Sequence, residues 1–470
     1  MMRYVSTRGR APSVSFADAV LAGLAPDGGL YVPETWPQLQ SSARSIAFGH
    51  YASAAMHALW AFAGAPWEDS PKIANRAYLG ADEPTPRWPL VVTPLAQRSP
   101  GAWILELFHG PSLAFKDVAM QLIGPLYEHL LSERNERLTV LCATSGDTGG
   151  AAVEALKNRD RIDLFVLLPK GRVSDVQRRF MTTSGAANVH AIELDADFDA
   201  CQAILKQLFA DRDFAARARL SAVNSVNWAR IAAQCVYFHI AAQILCAHGP
   251  VNFVVPTGNF GDALSGFVAK QMGAPIGRIG IAVNANDIVA RALKTGRYER
   301  APRSHATLSP AMDIQVPSNF ERILFEALDR DADHVARLYD QFAQSGGFGI
   351  PPQALAFLRD HFAAAALSDA ETQAVMQETW EHGGYLACPH TAVALGFGRD
   401  GAAHLDAPVV TLATAHPAKF PDTVEAATGV RPALPARCAD LFDRKEDFVS
   451  LPADIEQVKA LIRDRSRAWR

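Results

Sequence analysis

The chain has 470 residues, of which 49% are hydrophobic and 20% charged, and its formal net charge is −4. This length and apolar content predict two or three domains with their own cores, which excludes a mainly disordered protein. Nucleic acids and anionic membrane surfaces are not expected as partners. Both are usually bound by clusters of basic residues, and in this chain basic residues do not outnumber acidic ones.

The cysteines and the first residues favour a protein of the reducing cytoplasm. The six cysteines include no C-x-x-C pair, which argues against a zinc site and a disulfide framework. The histidines include no H-x-x-x-H pair, so no metal site is predicted. The N-terminal residues contain no long apolar core before a cleavage site, and no stretch approaches the run of about 18 apolar residues that spans a membrane.

The order of predicted elements is that of an α/β protein with a helical N-terminal part. Residues 16–24 and 51–63 have helical patterns, and the proline-rich segment 84–94 is typical of a connector. Short apolar runs then alternate with amphipathic helices, and their continuous apolar character indicates strands covered on both faces. The predicted strands are 103–107, 138–143, 163–168, 189–194, 251–255, 279–283 and 409–413.

A lysine lies where a polar loop enters an apolar helix. Residues 109–117 read HGPSLAFKD, and apolar residues recur at helical spacing after Phe115, which places Lys116 in the first turn of a helix capped by Ser112. Burial at such a junction favours the neutral amine, which is the form that attacks a carbonyl to make an imine. An ordinary lysine at a helix start is the alternative that this segment leaves open.

Two glycine-containing loops follow predicted strands and precede helices, an arrangement that directs backbone amides at an anion. In the loop TGNFGD, Gly258 and Gly261 would let the backbone approach a single phosphate, since the spacing is not that of a dinucleotide or triphosphate site. In the loop TSGDTGG, Ser145 and Thr148 suit a carboxylate. Its likeness to the serine-protease GDSGG sequence is superficial, because a threonine replaces the nucleophile. Tight turns without ligands remain the alternative.

Two further segments are candidates to complete a site. Ser225, Asn227 and Arg230 precede a predicted helix over 231–247 and offer donors for a second phosphate, although a plain helix cap is an equal alternative. Thr414 ends a predicted strand, which is where α/β folds hold their ligands.

Taken together, these segments resemble the threonine synthase family, in its longer branch with fungal and enterobacterial members. The resemblance extends over nearly the whole chain, in segments that follow the family's order: 3–9, 24–33, 109–117, 145–150, 258–262, 389–393 and 414–420. It implies a fold type II pyridoxal-phosphate enzyme of the α/β class, with large and small α/β domains and an added N-terminal helical domain. The implied domains are 1–88 (helical), 89–135 with 216–470 (large, cofactor-binding) and 136–215 (small and mobile).

The resemblance also implies roles for individual residues. Lys116 is expected to form the imine with pyridoxal 5'-phosphate, and Thr414 to meet its pyridine nitrogen. Asp147 departs from relatives such as threonine dehydratase, which have an asparagine near the cofactor's phenolic oxygen. The implied cofactor-phosphate loop is Gly258, Asn259, Phe260 and Gly261, with Asp262 beside it. The candidate substrate contacts are Ser145, Asp147, Thr148, Ser225, Asn227 and Arg230.

The activity implied by this family is conversion of O-phospho-L-homoserine and water into L-threonine and phosphate, through γ-elimination and β-addition of water. A monomer or weak homodimer is expected. One alternative is a phospholyase that releases 2-oxobutyrate from the same substrate. Another is a silent paralogue that binds the cofactor or a partner protein, against which the presence of Lys116 together with both anion loops argues.

Overall fold

The computed structural model describes residues 2–39, 51–80, 88–399, 405–406 and 408–469. The strands are β1 (Arg3–Ser6), β2 (Val14–Ser15), β3 (Tyr31–Pro33), β4 (Leu95–Ser99), β5 (Ala102–Glu106), β6 (Leu138–Ala143), β7 (Ile162–Pro169), β8 (Val189–Asp195), β9 (Leu220–Ala222), β10 (Val251–Pro256), β11 (Ile276–Val283), β12 (Arg297–Glu299), β13 (Gly347–Gly349), β14 (Phe362–Ala366), β15 (Val409–Ala413) and β16 (Val449–Pro452).

The helices are α1 (Phe16–Ala22), α2 (Tyr51–Ala63), α3 (Ser70–Tyr78), α4 (Lys116–Glu133), α5 (Asp147–Leu156), α6 (Asp175–Thr182), α7 (Phe198–Ala210), α8 (Arg212–Ala218), α9 (Trp228–Leu245), α10 (Gly261–Gln271), α11 (Ile288–Thr295), α12 (Phe320–Ala327), α13 (Ala332–Ser345), α14 (Pro352–His361), α15 (Asp369–Gly383), α16 (Pro389–Leu395), α17 (Pro421–Thr428) and α18 (Ile455–Arg465). Short 3₁₀ turns occur at Cys246–His248, Pro310–Met312, Pro417–Lys419 and Ala436–Cys438.

Two largely parallel sheets organise the protein. The larger has the order β14-β11-β10-β15-β5-β4 and is parallel except for its edge strand β4, and the smaller has the order β16-β8-β7-β6-β9 and is parallel throughout. Helices α10, α14 and α16 pack on the larger sheet, while α5 and α7 pack on the smaller. Every residue of β6 and β7 is buried, as their largely apolar sequences predict.

All seven predicted strands are confirmed, with ends that differ by at most three residues. The N-terminal part is less purely helical than predicted, because β1, β2 and β3 form an antiparallel sheet beside α1. The division into domains stays a prediction. Strand pairing nevertheless assigns β9 and β16 to the smaller sheet, whereas the predicted boundaries place both in the large domain.

Helix α9 is the central apolar helix of the core. Among the described residues, the segment Trp228–His248 alone is long and apolar enough to cross a membrane, with a mean hydropathy of 1.3. However, 61% of its most apolar stretch of 18 residues is buried inside the protein. The ring of Trp228 contacts Tyr4, Trp36 and Phe62 from the N-terminal part. Most of the apolar surface of α9 is therefore covered by protein.

Candidate active site

A cavity lies where the carboxyl ends of strands from both sheets meet. The loops that follow β6, β10 and β15 line it, which is the usual position of a ligand site in a parallel sheet. Asn227 is the one predicted site residue that does not line it. The predicted residues that do are Lys116, Ser145, Asp147, Thr148, Ser225, Arg230, Gly258, Asn259, Phe260, Gly261, Asp262 and Thr414.

Lys116 is the first residue of α4, and its side chain is 12% exposed at the cavity. The prediction that Ser112 caps this helix is wrong, because α4 has no side-chain cap. Instead, the Ser112 backbone N–H and hydroxyl donate hydrogen bonds to the buried carboxylate of Asp117, over 2.8 and 2.7 Å. Burial lowers the pKa of Lys116, and the nearby carboxylate of Asp147 opposes that shift.

The carboxylate of Asp147 lies between two lysines. One oxygen is 3.4 Å from Nζ of Lys116, and the other is 2.8 Å from Nζ of Lys419 and accepts a hydrogen bond from Gln177 over 2.9 Å. Burial alone would raise the pKa of Asp147, but Lys419 and Lys116 hold it well below its usual range. Neither Lys419 nor Gln177 was predicted to belong to the site. Lys419 lies in the matched segment 414–420, but a motif does not reveal what a side chain contacts.

The loop after β6 is stabilised by Thr144. Its hydroxyl oxygen accepts hydrogen bonds from the backbone N–H groups of Gly146 and Gly149, over 2.9 and 3.0 Å. Helix α5 therefore begins at Asp147, inside the segment TSGDTGG that was predicted to be a loop. Because Thr144 occupies these two amides, the donors left for a carboxylate in this loop are those around Ser145 and Thr148, both of which line the cavity.

The loop after β10 turns directly into α10. Phe260 adopts a left-handed backbone with φ of 63°, and the first amides of the helix, which have no acceptor within it, follow at the cavity. Gly258 lines the cavity and also lies close to another backbone segment. A Cβ atom there would lie 2.6 Å from the carbonyl oxygen of Ala311, so the neighbouring backbone excludes a side chain. At Gly261 the nearest atom would be Nδ2 of Asn319 at 3.3 Å.

Two buried charged residues at the cavity keep polar atoms without a partner among the described residues. Asp262 accepts a hydrogen bond from the hydroxyl of Tyr237, while its second oxygen has no partner. Burial raises the pKa of Asp262 to about 7. Arg230 donates from Nη1 to the carbonyl of Val223 over 3.3 Å, and its Nε is unpaired. Such atoms are costly to bury, so they indicate a ligand.

Asn227, a predicted substrate contact, does not reach the cavity, and Asn224 lines it instead. The amide nitrogen of Asn227 donates to the carbonyl of Val20 and to the hydroxyl of Tyr127, and its oxygen caps α9 at Ala229. All these bonds are internal and the side chain is fully buried, so Asn227 joins the N-terminal part to the core. Asn224 lines the cavity instead, and its buried Oδ1 has no partner in the part of the chain that is described.

Thr414 and His390 also line the cavity. Thr414 follows β15, and its backbone N–H donates to the hydroxyl of Thr391 over 3.3 Å. His390 accepts a hydrogen bond at Nε2 from the N–H of Ala311 over 3.2 Å, so its proton resides on Nδ1, which has no partner among the described atoms. Burial lowers the pKa of His390 to about 4, which keeps it neutral. His390 belongs to the matched segment 389–393 but received no individual role.

The donors around the cavity fit a carbonyl compound with a monoester phosphate, as pyridoxal 5'-phosphate is. A partly exposed amine at Lys116 is available for a carbonyl, and the helix start at Gly261 offers amides for a phosphate. The unpaired Nε–H of Arg230 and Nδ1–H of His390 provide further donors for anionic oxygens.

Comparison with known proteins agrees with this chemistry. Family models described as the threonine synthase N terminus, pyridoxal-phosphate dependent enzyme and threonine synthase C-terminal match residues 3–78, 83–346 and 391–462. The chain is 45% identical to threonine synthase of Pseudomonas aeruginosa over 98% of both chains. It is 37% identical to the Saccharomyces cerevisiae enzyme, over 98% of this chain and 97% of that protein.

Solved structures give the same result. Pyridoxal-phosphate-bound threonine synthase from Brucella melitensis is 47% identical, with a TM-score of 0.93 over 99% of this chain and 100% of that one. Threonine synthase from Escherichia coli is 32% identical, with a TM-score of 0.81 over 98% of this chain and 100% of that one. The predicted family, cofactor and α/β fold are thus confirmed, and the chain belongs to the threonine synthase family of pyridoxal-phosphate-dependent enzymes.

Proposed function

We propose that the protein converts O-phospho-L-homoserine and water into L-threonine and inorganic phosphate, as a carbon–oxygen lyase. The observation that carries this proposal is the meeting, in one cavity, of Lys116 with three groups of anion-binding residues. The cofactor phosphate, the substrate phosphate and the substrate carboxylate need three such groups. Membership of the threonine synthase family supports the same reaction.

Bound pyridoxal phosphate supplies the electron-withdrawing ring that stabilises negative charge at the substrate's Cα. Lys116 holds the cofactor until the substrate amine replaces it, and the freed amine then accepts the Cα proton. Lys116 or the departing phosphate moves the Cβ proton while phosphate leaves from Cγ. A proton is then delivered to Cγ, water adds its oxygen at Cβ, and a second proton returned to Cα completes the L-amino acid. The depressed pKa of Lys116 suits it to this repeated exchange of protons.

The anion-binding residues divide among the three charged groups. The loop from Gly258 to Gly261, with Asp262 beside it, would hold the cofactor phosphate at the start of α10, and Thr414 would meet the pyridine nitrogen. Arg230 and Ser225, with Asn224 in place of Asn227, would hold the substrate phosphate and stabilise the charge that develops as it leaves. Ser145 and Thr148 would hold the carboxylate.

Water must be kept out until phosphate has left. The cavity is lined from the smaller sheet by the loop at Ser145 and by Phe198 and Gln202 of α7, and from the larger sheet by the loop at Gly258. We infer that residues 136–215 move as a small domain and close this cavity over the substrate.

We also infer a cytoplasmic location and a monomer or weak homodimer. Support for the first comes from the six cysteines, all of them free thiols and five of them buried, as in a reducing compartment. Size-exclusion chromatography with light scattering, at several protein concentrations, tests the second.

The decisive experiment is product analysis. Purified protein with pyridoxal phosphate is incubated with O-phospho-L-homoserine, and threonine, 2-oxobutyrate and phosphate are measured separately. Equal amounts of threonine and phosphate support the proposal. Phosphate accompanied by 2-oxobutyrate identifies a phospholyase, and the absence of any product from cofactor-loaded protein identifies a silent paralogue. The Lys116→Ala variant serves as the inactive control.

A further inference from the structure

Lys419 is a buried lysine next to the active site but outside it. It ends the 3₁₀ turn that follows β15, its side chain is 0% exposed, and it does not line the cavity. Its Nζ forms the 2.8 Å ion pair with Asp147 and donates a hydrogen bond to the carbonyl of Ser112 over 2.8 Å. The same Nζ lies 5.6 Å from the ring centre of Phe180. Lys419 therefore acts through Asp147, not on a ligand directly.

The pairing of charges around Asp147 is unequal. Lys419 and Gln177 both bind one carboxylate oxygen at hydrogen-bonding distance, while Lys116 stands 3.4 Å from the other. A charge as deeply buried as that of Lys419 is costly unless it is paired, so its ammonium is bound to this carboxylate. The Asp147–Lys419 pair is then neutral as a unit, and the carboxylate attracts the proton on Lys116 less than an unpaired one would.

We propose that Lys419 is a positioning residue that neutralises Asp147 and thereby leaves the nitrogen of Lys116 able to lose its proton. Several charged and titratable groups face this cluster. His390 faces Asp147 and is held neutral, and Arg230 adds a positive charge that acts on Lys116 in the same direction as Lys419. The carboxyl group of Asp117 acts on Lys419 and that of Asp262 acts on Lys116. The remaining groups are Cys142 near Lys116, Cys388 near Asp147 and His416 near Lys419. The inference rests on the proposed function only for the role of Lys116 in holding the cofactor.

The test is a pH titration of the visible absorption of the cofactor-loaded protein. Lys419→Met keeps the approximate length of the side chain but removes its charge. The carboxylate of Asp147 then keeps Lys116 as its one lysine partner and attracts the proton on that nitrogen more strongly. We expect the midpoint of the titration to move to higher pH by about one unit or more. Asp147→Asn leaves the charge of Lys419 unpaired and should move the midpoint to lower pH. The double variant, which loses both charges, should return close to wild type.

The controls separate a charge effect from a packing effect. Lys270→Met removes a lysine whose Nζ donates to the carbonyl of Gly277, away from the cavity, and should leave the midpoint unchanged. A Lys419→Met protein that is less heat-stable but titrates like wild type overturns the proposal, because packing alone then explains Lys419. If Lys419→Met does not fold, the double variant with Lys419→Met and Asp147→Asn decides the matter. A midpoint near that of wild type supports the proposal. A midpoint displaced as far as that of Asp147→Asn overturns it.

A wild-type protein without any visible band would contradict the proposed function itself. A band that is present, with a midpoint that neither single variant moves, contradicts only the role assigned to Lys419.

Discussion

The backbone N–H of Phe115 donates a hydrogen bond to the carbonyl of Thr414 over 2.8 Å. Phe115 directly precedes Lys116, and Thr414 directly follows β15. A β-bridge between Ala114 and Ala415 continues this connection. Lys116 and Thr414, proposed to act at the carbonyl and at the pyridine nitrogen of the cofactor, are thus fixed relative to each other by main-chain bonds. The positions of their Cα atoms are therefore set by the backbone.

Lys116→Ala should abolish both cofactor attachment and threonine formation. Lys116 is the one lysine among the residues that line the cavity in the described structure. The variant should lose its visible absorption after dialysis, while Lys270→Ala, made far from the cavity, should retain it. Borohydride reduction of the wild-type protein followed by peptide mass mapping locates the attachment. Recovery of the cofactor on Lys419 or any other lysine would refute the assignment.

Seven of the eleven strands in the two sheets were predicted from the sequence, because buried strands are rich in apolar residues, whereas β4, β9, β14 and β16 were not. The runs that became β6 and β15 were located without error, since a strand covered on both faces is apolar at nearly every position. The strands β2 and β16 were missed because they have two and four residues, too few to show the alternation of apolar and polar residues that marks a strand. Membership of β16 in the smaller sheet depends on a contact with β8, more than 250 residues away along the chain.

The site was predictable where loops follow strands and uncertain where a helix begins. The pattern placed the start of α9 at residue 231, but it begins at Trp228, so Asn227 became its cap and Asn224 reached the cavity. A shift of three residues thus decides which amide meets a ligand. Lys419 could not be assigned, because its role arises from contacts with Asp147 and Ser112 that no local pattern contains.

Gly258→Ala should destabilise the protein. The new Cβ would lie 2.6 Å from the carbonyl oxygen of Ala311, so one of the two backbone segments must shift. Overpacking of this kind costs about 1–3 kcal/mol, to be measured by urea unfolding. Because the displaced loop forms the proposed phosphate site, cofactor affinity should fall as well. Gly349→Ala, where a Cβ meets no atom within 4 Å, is the matched control. Equal stability of the two variants would contradict the close approach.

His390→Gln should remove a pH dependence of stability. Burial lowers the pKa of His390 to about 4 in the folded protein, below its value of about 6.5 when exposed. The unfolded chain therefore binds a proton first, and the stability linked to His390 is present above about pH 6.5 and is lost as the pH falls towards 4. Between pH 7 and 5 the loss is about 2 kcal/mol.

Urea unfolding at pH 7 and pH 5, at one cofactor concentration, measures this difference. The free energy of unfolding should fall less for His390→Gln than for wild type over this interval. His248→Gln replaces an exposed histidine and should behave as wild type. If all three proteins lose the same stability, His390 is not the buried neutral group described above.

Arg230→Lys should weaken transition-state binding while sparing the cofactor. Arg230 is 2% exposed at the cavity, with Nη1 bound to the carbonyl of Val223 and Nε unpaired among the described atoms. The guanidinium group of arginine can bind a departing phosphate through two parallel hydrogen bonds. The ammonium group of lysine keeps the positive charge but cannot form this bidentate contact. The expected cost is on the order of 1–3 kcal/mol, read from the ratio of kcat/KM values for O-phospho-L-homoserine.

The cofactor spectrum separates this effect from a general disturbance of the site. The cofactor phosphate is assigned to the loop at Gly258, so the visible absorption of Arg230→Lys should match that of wild type. Arg297→Lys, at an exposed pair with Glu299, should change neither the spectrum nor kcat/KM. A kcat/KM close to wild type in Arg230→Lys would limit Arg230 to its bond with Val223, and the substrate phosphate would then have to be held by Ser225 and Asn224 without a cation.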